Sequence, residues 1–253
     1  HAWYNLSGQF CVESYGLIAP GMPQTAADIG LHYAHIAVSE EPLQATQFWT
    51  SLIALRAFHE GSLDDALQQA LAAVDPKSCM AEVVTDARQA FHAHPDDWKA
   101  ARQEIDEKWR VQRQWNGNST PLNGAAVCLA LLYGHDDFYL TLQYAMAIGH
   151  DADCNAATAG TVVGARLGFK RIAALPQFQM PDRYVNKTRP QLPAESKISE
   201  QAETLLRVAE RVILANGGER ITVAGQPGYR IKLQSPKVLE RLPENPHEPQ
   251  NKP

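Results

Sequence analysis

Between residues 123 and 167, three apolar segments are separated by only two short polar turns. Residues 123–133 are apolar nearly all round, a pattern that a helix carries when protein surrounds it. Residues 138–148 read as a second buried helix, and residues 156–167 as a third, rich in small side chains. Segments of this kind can only be buried, so this stretch reads as the inside of a helical fold.

The rest of the chain agrees with a helical reading. Helices are expected over 25–37, 43–60, 78–92 and about 96–114. Ser62 should cap another, with Asp64 and Asp65 in its positive first turn. Residues 8–23, punctuated by Gly16, Pro20, Gly21 and Pro23, read as a loop. Trp49, Trp98, Trp109 and Trp115 read as packing residues. Gly160, Gly164 and Gly168, four apart, make a stripe on which another backbone can approach closely in a soluble core.

The last third changes character. Residues 176–193 are irregular and proline-rich. Ser199 opens an amphipathic helix that Asn216-Gly217-Gly218 ends. Residues 221–223 and 229–233 suggest a small hairpin. The division read from the sequence is therefore a helical domain over 1–175, an extension over 176–242 and a disordered tail over 243–253.

Composition narrows the function classes. The 253 residues carry a net charge of −5 and a pI near 6.0, which speaks against a basic nucleic-acid surface. No apolar run approaches the roughly 20 residues needed to cross a bilayer, so no membrane partner is expected. A cytoplasmic location is expected, and oligomeric state is not readable. Cys11, Cys79, Cys128 and Cys154 lack paired spacing, so reduced thiols are expected. The chain opens on His1 without tag or signal peptide, and reads as a fragment or processed product.

The chemistry concentrates in Gly149-His150-Asp151-Ala152-Asp153-Cys154-Asn155. In an extended turn, residues i and i+2 point to the same side, so Asp151 and Asp153 can converge on one hard cation. Magnesium suits an oxygen-only site with few protein ligands; calcium or manganese would fit nearly as well. The plain alternative is that Asp153 caps the following helix and Asp151 is solvated. His32 and His35, with Glu40 and Glu41 after them, are a second group; a polar helix face and a solvated turn account for them. Asn123 should cap the buried helix that it opens.

The acidic turn, running into Ala156-Ala157-Thr158-Ala159-Gly160 and Gly164, resembles the C-terminal signature of the ADP-ribosylglycohydrolase family. Leu131-Leu132-Tyr133-Gly134 and Asp137-Phe138 resemble its approach to that turn. Ser14-Tyr15-Gly16 resembles a loop that holds the diphosphate and ribose of ADP-ribose. The resemblance implies an all-α orthogonal helical bundle and magnesium-dependent hydrolysis of an ADP-ribosyl, or related ribosyl, glycosidic bond.

It further implies Asp151 and Asp153 as metal ligands, with Cys154 where the family usually has threonine. Ser14, Tyr15, Gly16, and less directly Glu41 and His150, would meet ADP-ribose or an ADP-ribosylated substrate. The family's second acidic cluster and a glutamate near the reaction centre are expected upstream of this chain. At most half of a two-magnesium site would then be present. The rival readings are an ADP-ribose-binding module without turnover and a hydrolase of another nucleoside or ribosyl substrate.

Overall fold

A computed structural model describes residues 4–244; the tail expected over 243–253 lies mostly outside them. The fold is all-α, with two small antiparallel strand pairs. The chain divides into two compact units. One comprises the described residues up to Arg166 together with those from Leu233 onward; the other is Leu167–Lys232.

The first unit is built around two buried helices, α4 (Glu41–Arg56) and α8 (Thr120–Gly134). All of α8 is buried, as its apolar sequence requires. Nearly all of α4 is buried too, although it carries Gln44, Thr46, Gln47, Thr50 and Ser51. Each of these finds a hydrogen-bond partner, which is what makes their burial tolerable.

Around α4 pack α1 (Ser7–Phe10), α2 (Glu13–Leu17), α3 (Pro23–Ala34), α5 (Leu63–Ala70) and α6 (Cys79–Ala93). Against α8 lie α6, α7 (Trp98–Ile105) and α9 (Phe138–Ile148). Then α10 (Ala152–Leu167) follows the acidic turn. Ser62 caps α5 as the sequence suggests, its hydroxyl accepting from Asp65 N, and Ser78 caps α6 by accepting from Ala81 N. Trp49, Trp109 and Trp115 are buried.

Several expectations are corrected. Residues 8–23 are not a loop but contain α1 and α2, each about one turn long. Their glycines serve close packing: a Cβ on Gly8 would lie 1.8 Å from the Pro42 carbonyl oxygen, and one on Gly16 would lie 2.6 Å from Ile53 Cβ. The helix expected over 96–114 changes after Ile105 into a π-helical turn, Asp106–Gln112. α9 buries only Thr141, Ala145 and Ile148 fully, so it is a one-sided helix. Gly160 admits the Leu142 side chain of α9 rather than another backbone.

Residues 233–242 lie along α3 and α4 as a strap. Gln234 exchanges side-chain hydrogen bonds with Thr25 N and Thr25 Oγ1. Gln47 Oε1 accepts from Leu239 N and Glu240 N, while Gln44 and Gln47 donate to Glu240 O. The extension read as 176–242 therefore returns, from Leu233, to the first unit.

In the second unit, α11 (Phe169–Ala173) precedes a short pair, β1 (Tyr184–Val185) with β2 (Glu195–Ser196). α12 (Ile198–Ala215) is the amphipathic helix expected from Ser199 onward, and β3 (Glu219–Val223) with β4 (Gln226–Arg230) is the expected hairpin. Its turn residues Ala224 and Gly225 have φ of 49° and 77°, the twist a two-residue hairpin needs.

Candidate active site

The acidic turn joins α9 to α10. Gly149 (φ 89°) reverses the chain and His150 (φ 59°) is itself left-handed, a conformation that costs a non-glycine residue energy. The strain is held by hydrogen bonds to two buried amides: Asp151 N donates to Asn123 Oδ1 (3.0 Å), and Asn155 Nδ2 donates to both Asn123 Oδ1 (2.9 Å) and Gly149 O (3.1 Å). Asn123 thus does not cap its own helix. Its amide reaches back to Gly117 O and Ser119 O, and its oxygen fixes the turn.

Helix α10 starts at Ala152, four residues earlier than expected. Asp151 therefore precedes the helix, and Asp153 and Cys154 lie in its first turn. The two carboxylates meet because a helix begins there, not because the turn is extended. One ligand atom each from Asp151, Asp153 and Cys154 lies within 4.8 Å of the others, and among the described residues no other group of three metal-ligating side chains comes together.

Burial pushes the Asp151 carboxyl up, and the neighbouring Asp153 carboxylate pushes the same way; the hydrogen bond from Asp151 holds Asp153 down. The pair therefore favours sharing a proton or a cation over carrying two adjacent negative charges. Burial, with the Asp151 carboxylate beside it, pushes the Cys154 thiol up to about 12. At neutral pH this thiol is a donor to Asp151 rather than a ligand. The two carboxylates suit a hard divalent cation, and Cys154 suits it only as an orienting donor.

Glu13, on α2, is the site residue the sequence reading passed over. It is largely buried and accepts from Thr158 Oγ1 (2.7 Å), one helical turn beyond Cys154. Burial pushes its carboxyl up, and its charge acts on the Cys154 thiol, so it lies beside the acidic turn. The signal available in the sequence was its place just before Ser14-Tyr15-Gly16.

The other expected residues are placed as follows. Ser14, Tyr15 and Gly16 lie within α2 instead of an open loop: Tyr15 N is bonded to Val12 O, and Gly16 is packed under α4. The Tyr15 ring stacks on Tyr33, with centroids 5.3 Å apart. His150 is turned inward, its Nε2 3.2 Å from Asp106 Oδ1 in the π-helical turn, and burial pushes its imidazole down. Glu41 is buried, and its carboxylate accepts from Cys79 N (2.9 Å) and Met80 N (3.4 Å) at the start of α6. That engagement gives Glu41 a capping role. His35 bonds to Glu240 of the strap, and His32 packs edge-on against Tyr33. No cysteine among the described residues is in a disulfide.

A carboxylate pair on a strained, internally tied turn, leading into a small-residue helix, is the arrangement that comparison with known proteins bears on. The sequence profile of the ADP-ribosylglycohydrolase family matches residues 14–219. The chain belongs to the ADP-ribosylglycohydrolase family. It matches no curated protein and no solved structure. Membership makes it, in general terms, a hydrolase of the kind that acts on ADP-ribosylated substrates, in a family that is generally metal-dependent. No helix among the described residues is long and apolar enough to cross a membrane.

Proposed function

We propose that this protein hydrolyses a ribosyl glycosidic bond of an ADP-ribosylated substrate, with magnesium held by Asp151 and Asp153. The observation that carries the reading is the convergence of these carboxylates and the Cys154 thiol within 4.8 Å. A bound magnesium ion would supply positive charge for the ribose hydroxyls and for an attacking water. Cys154 S–H orients Asp151 and leaves its second oxygen for the cation.

In the reaction, water forms a bond to the ribose anomeric carbon, the bond from that carbon to the acceptor atom breaks, and the acceptor leaves with a proton. Glu13 is suited to proton transfer, because burial favours its protonated form and Thr158 fixes its orientation. Ser14 and Tyr15, half-buried on the same short helix, are proposed to face the substrate.

The test is release of ADP-ribose from serine-, arginine- and acetyl-linked substrates, with added magnesium and with chelator. The proposal expects magnesium-dependent release on one linkage, lost in Asp151→Asn/Asp153→Asn. Tight ADP-ribose binding with no release on any linkage would favour the binding module instead.

A further inference from the structure

The acidic turn is tied to the N-terminal helix α1 through a run of side-chain amides. Gln9, on α1, donates from Nε2 to Asn155 Oδ1 (2.9 Å) across 146 residues of sequence. Asn155 Nδ2 passes the contact to Asn123 Oδ1 and to Gly149 O, and Asn123 Oδ1 also accepts from Asp151 N. All three side chains are fully buried. Buried amides in a helical core are costly unless paired, and apolar residues would fill these positions more cheaply.

One atom of the chain is left over. Gln9 Oε1 is buried and has no hydrogen-bond partner among the described residues. A buried amide with one acceptor unpaired is a poor choice for stability alone. The turn on which this chain of amides ends has two consecutive left-handed residues, Gly149 and His150. A strained turn persists where its surroundings over-determine it, and here the amides do so.

We infer that Gln9, Asn155 and Asn123 form a carboxamide relay that positions the Asp151–Asp153 pair for its cation. They are positioning residues, since none of them is placed among the ligands. The inference rests on the cation reading of that pair. It assigns two residues, Gln9 and Asn155, whose amide chemistry no helix propensity explains. The relay sets cation affinity by holding the backbone of Asp151 in one geometry and fixing the first turn of α10, where Asp153 sits.

The probe is Mn2+ alone, titrated into the full chain and followed by electron paramagnetic resonance, with thermal melting in parallel. Asn155→Ala is expected to weaken Mn2+ binding by about tenfold, the scale seen when residues behind a metal's own ligands are lost. Gln9→Met, at the far end of the relay, should weaken it by about threefold, less than the usual loss because two links remain.

A folded Asn155→Ala variant that binds within about twofold of the parent, far below the loss such residues normally cause, overturns the relay even if it melts earlier. If Asn155→Ala does not fold, Gln9→Met decides by the same comparison. A parent chain that takes up no Mn2+, or an Asp151→Asn/Asp153→Asn variant that binds as the parent does, overturns the cation reading itself and the relay with it. Loss in the relay variants beside binding by the parent supports both.

Discussion

Two glutamates drawn into the protein, half-buried Glu13 on α2 and buried Glu41 on α4, have the same elementary chemistry and opposite assignments. Burial lifts the carboxyl of each. Glu41 is engaged by the N–H groups of Cys79 and Met80, donors that the start of a helix always leaves free. Glu13 takes the Thr158 Oγ1 hydroxyl as well as backbone N–H groups at the start of its own short helix, and it stands beside Cys154 and the acidic turn. Both carboxylates meet helix-start N–H groups, so it is place that separates them: Glu41 serves the start of α6, and Glu13 stands beside the acidic cluster where chemistry is proposed.

The largest expected difference is in rate. Glu13→Gln should lower kcat on an ADP-ribosylated substrate by about a hundredfold or more, the scale of a lost proton-transfer group. Glu41→Gln should leave kcat within about twofold, since it removes no such group. A reversed result in steady-state kinetics would exchange the two roles.

Stability should separate them the other way. Glu41→Ala leaves two buried donors at the start of α6 without an acceptor and should cost about 2–3 kcal/mol in urea unfolding. Glu13→Gln keeps an acceptor for Thr158 and should cost under about 1 kcal/mol.

The pH dependence follows from the Glu41 carboxyl, raised from 4.5 to about 6 by burial. The unfolded chain loses this proton first, so between these values the folded state holds more of it, and stability falls as pH rises. The drop from this group is about 2 kcal/mol, and Glu41→Gln should remove it from a series of melts across that range.

The smallest effect belongs to the strap that crosses the same side of α4. Gln47→Leu removes the acceptor of Leu239 N and Glu240 N and should cost about 1 kcal/mol locally. Faster hydrogen exchange at those two amides, with catalysis unchanged, is the expected outcome. A loss of catalysis instead would tie this side of α4 to the active site.

What the sequence made legible was the part with a periodic signal. Residues 123–167 announce three helices and two turns, and α8, α9 and α10 are found there. Asp151 and Asp153 were readable because their spacing and neighbours are local. Gln9, Glu13 and Asn155 were not, since each acquires meaning only from a partner far along the chain: Gln9 from Asn155, 146 residues on, and Glu13 from Thr158, 145 residues on. α1 and α2 are too short to show a helical period, so the stretch from Gly8 reads as a loop with Gly16 as punctuation, when both glycines are points of close packing. Glu41 and His150 stand out through family resemblance and nearness to the acidic turn, which say nothing of whether a carboxylate finishes a helix or an imidazole packs against Asp106.

The central claim is that Asp151 and Asp153 join a divalent cation to the ADP-ribose moiety. Calorimetric titration of ADP-ribose into the full chain, with and without magnesium, tests it most directly. The account predicts that magnesium strengthens ADP-ribose binding, and that the strengthening disappears in Asp151→Asn/Asp153→Asn. Equal affinity with and without magnesium, or a double variant that behaves as the parent does, would contradict it.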